Sequence, residues 1–317
     1  MPHRVLLTMP KFLDNEGFVR EFLRERDCEL IEHDRHGRLG EEGLIDLIPE
    51  AEGLVPGMEP VTDRVLAAAP RLRVVSAQGV GYDHIDVEAA TRRGVAVCIC
   101  AGANNHSVAE LAFGMMLGLA RRIHEADGAV RAGGWPRLVG TELWGGTLGV
   151  VGLGRVGKSV ALIARGFGMR VLATDIQWDI TFANEHGVSY VPLPRLLAES
   201  DFVSVHCPLT PETRGLIDDR ALARMKPTAY LINTARGPVV EEAALVRALR
   251  EGRIAGAGLD VFETEPRPDN PFVDFPNVIL TPHLGGATRQ ASDRSLELAL
   301  LNITQVLRGG PPVCRVN

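Results

Sequence analysis

The sequence predicts an α/β protein built on doubly wound parallel sheets, arranged in two domains. Three observations carry that expectation. Short β-branched runs alternate with helical patterns through the first hundred residues, a second such series runs from Thr147 to about Leu280, and a long helical pattern from about Ser107 to Arg122 stands between them. Composition agrees. A chain of 317 residues fits about two domains of roughly 150, and 45% hydrophobic with 23% charged residues is ordinary for a globular protein.

In the first series Val5-Leu6-Leu7 reads as a strand and Asp14 to Arg26 as a helix. Further strands are expected at Leu30-Ile31, Gly53-Leu54-Val55, Val74-Val75-Ser76 and Val95-Ala96-Val97, with helices at Thr62 to Ala69 and Val87 to Arg93. The long helix is followed by a glycine-rich segment containing Gly133-Gly134-Trp135-Pro136. After the second series, a helical pattern from Thr288 to Arg308 precedes a polar tail, 309–317.

Charge narrows the function classes. Lys plus Arg at 34 against Asp plus Glu at 40 gives a net charge of −6, which offers no general attraction to nucleic acid or to a membrane surface. The apolar run at Met1 to Thr8 is too short for an export signal. The longest apolar stretch, Val108 to Ala120, carries Glu110 and is too short to span a bilayer. Five cysteines with no Cys-x-x-Cys argue against a disulfide framework and against a thiolate metal site, and Cys98 and Cys100 read as buried free thiols on one strand face. No metal is expected, and the location expected is the cytoplasm.

One signature stands out in the second series. The strand Leu148-Gly149-Val150-Val151 runs into Gly152-Leu153-Gly154-Arg155-Val156-Gly157, and a helical pattern follows at once. Gly152 allows the tight turn, Gly154 lets backbone approach a pyrophosphate, and Gly157 lets helix pack on strand. The unpaired N–H groups of the helix start then hold the anion. Asp175 closes the next strand roughly 20 residues on, where a carboxylate accepts from a ribose 2′-OH. Ile176-Gln177-Trp178 supplies no cation for a 2′-phosphate, so NAD is favoured over NADP.

Three later strands each deliver a chemical group. Tyr230 to Asn233 leads to Arg236, Ala257 to Phe262 leads to Glu265, and Val278 to Leu280 leads to His283. In parallel sheets ligands sit beyond the carboxyl ends of strands. These types suit hydride transfer between NAD and a 2-hydroxy acid. Arg236 binds the substrate carboxylate, His283 exchanges the hydroxyl proton, and Glu265 favours the imidazolium. Spacing alone also fits a surface arginine, an ordinary Glu-Pro turn and any one of nine unremarkable histidines.

Five ordered motifs decide between these. Gly152 to Gly157, His206-Cys-Pro-Leu-Thr-Pro-Glu-Thr213, Asn233-Thr-Ala-Arg-Gly237, Leu259-Asp-Val-Phe-Glu-Thr-Glu-Pro266 and Thr281-Pro-His-Leu-Gly-Gly286 resemble the D-isomer-specific 2-hydroxyacid dehydrogenase family. Gly79-Val-Gly-Tyr-Asp-His-Ile-Asp86 and the run from Asn104 to Glu110 extend the resemblance along nearly the whole chain. It implies Arg236, Glu265 and His283 as the catalytic group. It implies Gly79, Val80 and Gly81 as the loop that holds the substrate carboxylate with its N–H groups, with Asn104 close by and Arg236 assisting. It implies a cofactor lining of Gly152, Gly154, Arg155, Val156, Gly157, Asp175, Cys207, Thr234, Ala235, Arg236, Asp260, His283, Gly285 and Gly286. The Cys207 thiol reads as incidental, since no base is paired with it.

The same resemblance implies a Rossmann nucleotide-binding domain at about 103–286, inserted into a flavodoxin-like substrate domain formed by 1–102 and 287–317. It also implies a homodimer formed through the segment from Ser107 to Thr147, and a small 2-hydroxy or 2-keto acid as substrate. Two departures bear on which acid. Phosphoglycerate dehydrogenases of the family commonly place Arg-Ser after the strand that ends here at Val55, whereas this chain has Pro56-Gly57-Met58-Glu59, with no cation and an acid that repels phosphate if it faces the ligand. The chain also leaves no room beyond Asn317 for the regulatory domain many of them carry. A hydroxypyruvate or glyoxylate type of reductase is therefore expected, with phosphoglycerate dehydrogenase as the alternative and an NAD-gated, corepressor-like binding protein as the alternative of another class.

Overall fold

The computed structural model describes residues 1–9, 15–33 and 39–317. By contacts the chain forms two compact units, Met1–Asn104 with Thr288–Asn317, and Asn105–Ala287.

The amino-terminal segment runs β1 (His3–Leu7), α1 (Glu16–Arg24), β2 (Cys28–Leu30), α2 (Glu41–Leu47), β3 (Gly53–Val55), α3 (Asp63–Ala67), β4 (Val74–Ser76), α4 (Val87–Arg92) and β5 (Ala96–Cys98). Its sheet has the order β2-β1-β3-β4-β5, and every pairing is parallel. A parallel sheet is covered on both faces, so its strands are short continuous apolar runs instead of alternating ones. Successive side chains still part to opposite faces. Leu7, Val55, Val74 and Cys98 pack with Val19, Phe22 and Leu23 of α1, while Leu6, Leu54, Val75 and Val97 pack with Leu44, Val65 and Ala89 of the other three helices. Thr62 and Asp86 cap α3 and α4 by accepting from Val65 N–H and Ala89 N–H.

The other unit runs α5 (Asn105–Ala120), α6 (Ile123–Arg131), β6 (Thr147–Val151), α7 (Arg155–Gly166), β7 (Arg170–Thr174), α8 (Ile180–His186), β8 (Val188–Tyr190), α9 (Leu193–Glu199), β9 (Phe202–Val205), α10 (Asp219–Leu222), β10 (Tyr230–Asn233), α11 (Glu242–Arg250), β11 (Gly256–Leu259) and β12 (Val278–Leu280). Its parallel sheet has the order β12-β11-β10-β9-β6-β7-β8. The winding reverses between β6 and β9, which is where such a sheet opens a crevice for a ligand. The last helix, α12 (Arg289–Leu307), returns to the first unit. Its Leu296, Ala299, Leu300 and Ile303 cover the face of that sheet shared with α1.

Some expectations are displaced. The helix expected from Ser107 to Arg122 ends at Ala120, Arg122 takes a left-handed φ of 52°, and α6 follows. No glycine or proline marks that break, because the fold imposes a conformation the local sequence does not request. The helix α2 is absent from the sequence reading, since Gly43 lies inside it and its apolar face is narrow. Strand β2 ends at Leu30, β5 begins at Ala96, and the start expected for α1 at Asp14 lies outside the described residues. All five cysteines are free, with Cys98 and Cys100 buried in one cluster. Among the described residues no helix is long and apolar enough to cross a membrane, and no group of acidic, His or Cys side chains is placed to hold a metal ion.

Candidate active site

The glycine turn sits at the carboxyl end of β6. Gly152 takes a φ of 94°, and a Cβ there would come within 2.6 Å of the Cys207 backbone nitrogen, so the loop after β9 lies directly against the turn. A Cβ at Gly157 would lie 2.1 Å from the carbonyl oxygen of Gly152, which fixes how closely α7 meets its own turn. Gly154 differs from both. A Cβ there would meet only open space, and as N-cap of α7 it offers no side chain to the helix's first N–H groups. That combination fits a pyrophosphate: room for close approach and uncapped donors at a positive helix end. Arg155 beside them is exposed and makes no ion pair among the described residues, and Val156 is half-buried.

Asp175, just past β7, accepts from Leu153 N–H at 2.6 Å and Gln177 N–H at 3.1 Å, so it is tied to the turn itself. The Trp178 indole N–H donates to the Asp175 carbonyl, and the indole stacks on Tyr190 at 4.9 Å. Lys158 in the first turn of α7 is held by Asp179 at 2.5 Å, whose carboxyl this contact keeps below the usual range.

Arg236, Glu265 and His283 lie at the ends of β10, β11 and β12. Asn233 shapes the first of these turns by accepting from Ala235 N–H and donating to the Arg236 carbonyl. Nδ1 of His283 donates to Oε2 of Glu265 at 2.6 Å, while Oε1 of Glu265 accepts from Phe262 N–H at 2.9 Å. His283 has a φ of 55°, and its backbone is pinned by Asp260. The Asp260 carbonyl accepts from His283 N–H at 2.9 Å, and its buried carboxylate accepts from the Thr281 hydroxyl, Leu284 N–H and Gly285 N–H.

Electrostatics follow from this geometry. The Glu265 carboxylate raises the His283 pKa above its ordinary value, against the opposing effects of burial and of Arg236. Burial alone would raise the Glu265 pKa, but His283, the Phe262 N–H and Arg236 together hold it low. The imidazolium–carboxylate form of the pair is thus favoured near neutrality.

The other expected residues are distributed over both units. Thr234 bonds to the His206 ring at 3.4 Å, and that ring also meets Ser204 at 2.8 Å. Burial pushes the His206 pKa down to about 3, so the ring is neutral. Burial likewise pushes the Cys207 thiol up to about 11, leaving it protonated and unsuited to attack. Ala235 and Gly286 lie in the same loops as Arg236 and His283, and both are half-buried. Gly79, Val80 and Gly81 belong to the first unit, past the end of β4, where the Gly79 carbonyl accepts from Cys100 N–H. Asn104 closes the amino-terminal segment of that unit, and its Oδ1 is buried with no hydrogen-bond partner.

Glu59, whose charge was expected to bear on phosphate only if it faced the ligand, turns inward. It is 3% exposed, and its Oε2 accepts from the Thr8 hydroxyl at 3.0 Å, leaving Met58 as the residue its loop displays. Asn233 and His206, which open two of the sequence motifs without having been given a role of their own, brace the strand ends.

A dinucleotide turn at the switch point of a parallel sheet, with an acid, a base and a guanidinium beyond neighbouring strand ends, defines an α/β oxidoreductase. The profile of the D-isomer specific 2-hydroxyacid dehydrogenase, NAD binding domain, matches residues 113–285. Glyoxylate reductase of Korarchaeum cryptofilum is 45% identical over 282 residues, covering 86% of this chain and 85% of that protein. D-3-phosphoglycerate dehydrogenase of Mycobacterium leprae is 47% identical over 255 residues, covering 80% of this chain but 48% of that protein. The crystal structure of D-lactate dehydrogenase from Aquifex aeolicus, complexed with NAD and lactic acid, superposes with a TM-score of 0.84 at 31% identity, covering 97% of this chain and 96% of that one. The chain belongs to the D-isomer specific 2-hydroxyacid dehydrogenase family, and it is an NAD-dependent oxidoreductase acting on the CH–OH group of its donor.

Proposed function

We propose that the protein reduces a small, unphosphorylated 2-keto acid of the glyoxylate or hydroxypyruvate type with NADH. The observation that carries the reading is the His283–Glu265 contact at 2.6 Å, beyond the carboxyl ends of two strands of the sheet that also bears the glycine turn. Gly152 to Gly157 and Asp175 hold NAD, with Arg155, Val156, Cys207, Thr234, Ala235, Asp260, Gly285 and Gly286 lining it. When bound, the cofactor supplies or accepts the hydride. Arg236 draws the substrate carboxylate and polarises the keto oxygen. Protonated His283 gives its Nε2 proton to that oxygen, and Glu265 at Nδ1 keeps the ring charged and oriented until then. Gly79, Val80 and Gly81, with Asn104, hold the carboxylate from the substrate-binding part, assigned to 1–102 and 287–317.

The preference against phosphate is supported by how two arginines of the first unit are engaged. Arg71 pairs with Glu50, Arg73 donates to the carbonyls of Leu307 and Val306, and the loop 56–59 exposes Met58 over a buried acid. Exposed Val130, Trp135, Val139 and Trp144 supply the apolar face of a homodimer. Five free thiols fit a reducing, cytoplasmic setting.

The test is kcat/KM for glyoxylate, hydroxypyruvate and phosphohydroxypyruvate at one pH and salt concentration. Higher values for the unphosphorylated acids are expected. A clear advantage for phosphohydroxypyruvate, weakening as salt rises, would replace this reading with phosphoglycerate dehydrogenase. No turnover of any keto acid despite NADH binding would favour the corepressor-like class.

A further inference from the structure

Among the described residues three acidic side chains are buried: Glu59, Glu242 and Asp260. Asp260 holds the His283 loop and Glu59 the loop after β3. Glu242, the first residue of α11, has no part in the function described so far. A carboxylate is costly to bury unless its oxygens are used. Here Oε1 accepts from Glu263 N–H at 2.7 Å, and Oε2 lies 2.7 Å from Nη2 of Arg267. Glu263 answers by accepting from Glu242 N–H at 3.3 Å.

These contacts grip the loop that carries Glu265. Two consecutive N–H groups of that loop are turned to different carboxylates, Phe262 to Glu265 and Glu263 to Glu242. On a third side the backbone of the Arg236 turn presses in, since a Cβ at Gly237 would lie 1.9 Å from the Phe262 carbonyl carbon. We propose that Glu242 is a positioning residue: through Glu263 N–H and Arg267 it fixes the loop 262–267, and so holds Glu265 against Nδ1 of His283. The proposal rests on the assignment of His283 as the proton donor.

Removing the Glu242 carboxylate leaves Glu263 N–H without its acceptor and Arg267 without its counter-ion, and the loop relaxes to find others. Glu265 then spends less time at His283. The other charges acting on His283, those of Asp260 and Arg236, stay in place in every variant below.

The experiment is an NMR titration of the His283 ring in the full chain, with steady-state reduction kinetics alongside. Glu265→Gln should lower the His283 midpoint, and Glu242→Ala should lower it at least half as far. Glu242→Gln, which keeps an acceptor for Glu263 N–H, should lower it less. In Glu242→Ala, kcat should fall roughly tenfold, while KM for NADH stays within about twofold of wild type. An unmoved midpoint in folded Glu242→Ala, with Glu265→Gln shifted, overturns the inference and leaves the catalytic assignment standing. An unmoved midpoint in Glu265→Gln overturns both. Should Glu242→Ala fail to fold, Arg267→Gln decides: a lowered midpoint supports the inference and an unchanged one overturns it.

Discussion

In the proposed reaction much of the chemistry rests on one side-chain contact of His283. Its raised pKa means the folded protein holds the imidazolium proton more tightly than the unfolded chain does. Keto-acid reduction needs that proton, so its rate should fall as pH rises through the raised value. Glu265→Gln should move the falling limb to lower pH, read from kcat/KM against pH. His283→Ala should lower kcat by roughly 10²–10⁴-fold with NADH binding retained by calorimetry. Stability follows the same sign. The contribution of His283 is complete below its ordinary 6.5 and is lost as pH rises through the folded value, while that of Glu265 is present above 4.5 and is lost as pH falls through its own folded value. The Tm difference between wild type and Glu265→Gln should therefore be widest between these limits and close in alkali. At Asp175 the issue is like charge. NAD(H) should exceed NADP(H) in kcat/KM, and Asp175→Ala should narrow the gap, each tenfold being about 1.36 kcal/mol. Equal use of both cofactors by the wild type would count against Asp175 as the discriminating group.

The turn between β6 and α7 is an element defined by what it lacks. Because a Cβ at Gly157 would lie only 2.1 Å from the Gly152 carbonyl oxygen, Gly157→Ala must push α7 away from that carbonyl. Overpacking of this kind costs roughly 1–3 kcal/mol, and it moves the N–H groups proposed to receive the pyrophosphate. A lower Tm together with at least about tenfold weaker NAD binding is expected. Gly154→Ala, whose Cβ would face open space, should leave Tm nearly unchanged and weaken NAD binding alone. If both variants lose stability equally, steric crowding against ligand is not what keeps Gly154 a glycine.

Across the whole molecule, one unit is assembled from two distant stretches of chain, and Asn302 on α12 is the knot. Fully buried, it donates to Ser76 Oγ and the Ile99 carbonyl while accepting from Val313 and Cys314 N–H. Asn302→Ala strands those groups at roughly 1–3 kcal/mol for each buried one left unpaired. A drop in unfolding free energy of at least about 2 kcal/mol is expected in denaturant titration. An unchanged midpoint would show that the tail is not held through this residue.

What the sequence determined by itself is what depends on near neighbours in the chain. Gly152 to Gly157 followed by a helix, Asp175 at the next strand's end, the buried runs 53–55 and 74–76, and the helices expected from Thr62, Val87 and Thr288 are local patterns with local causes. The group Arg236, Glu265 and His283 was legible through motifs, since each residue follows a recognisable strand. Only the tertiary structure decided the rest. The inward turn of Glu59 toward Thr8, the break at Arg122, the clasp of Asp260 on the His283 loop and the burial of Glu242 all depend on residues far apart in sequence. A carboxylate's direction is set by whichever distant donors the fold brings within hydrogen-bond reach, and no periodicity along the chain encodes that distance.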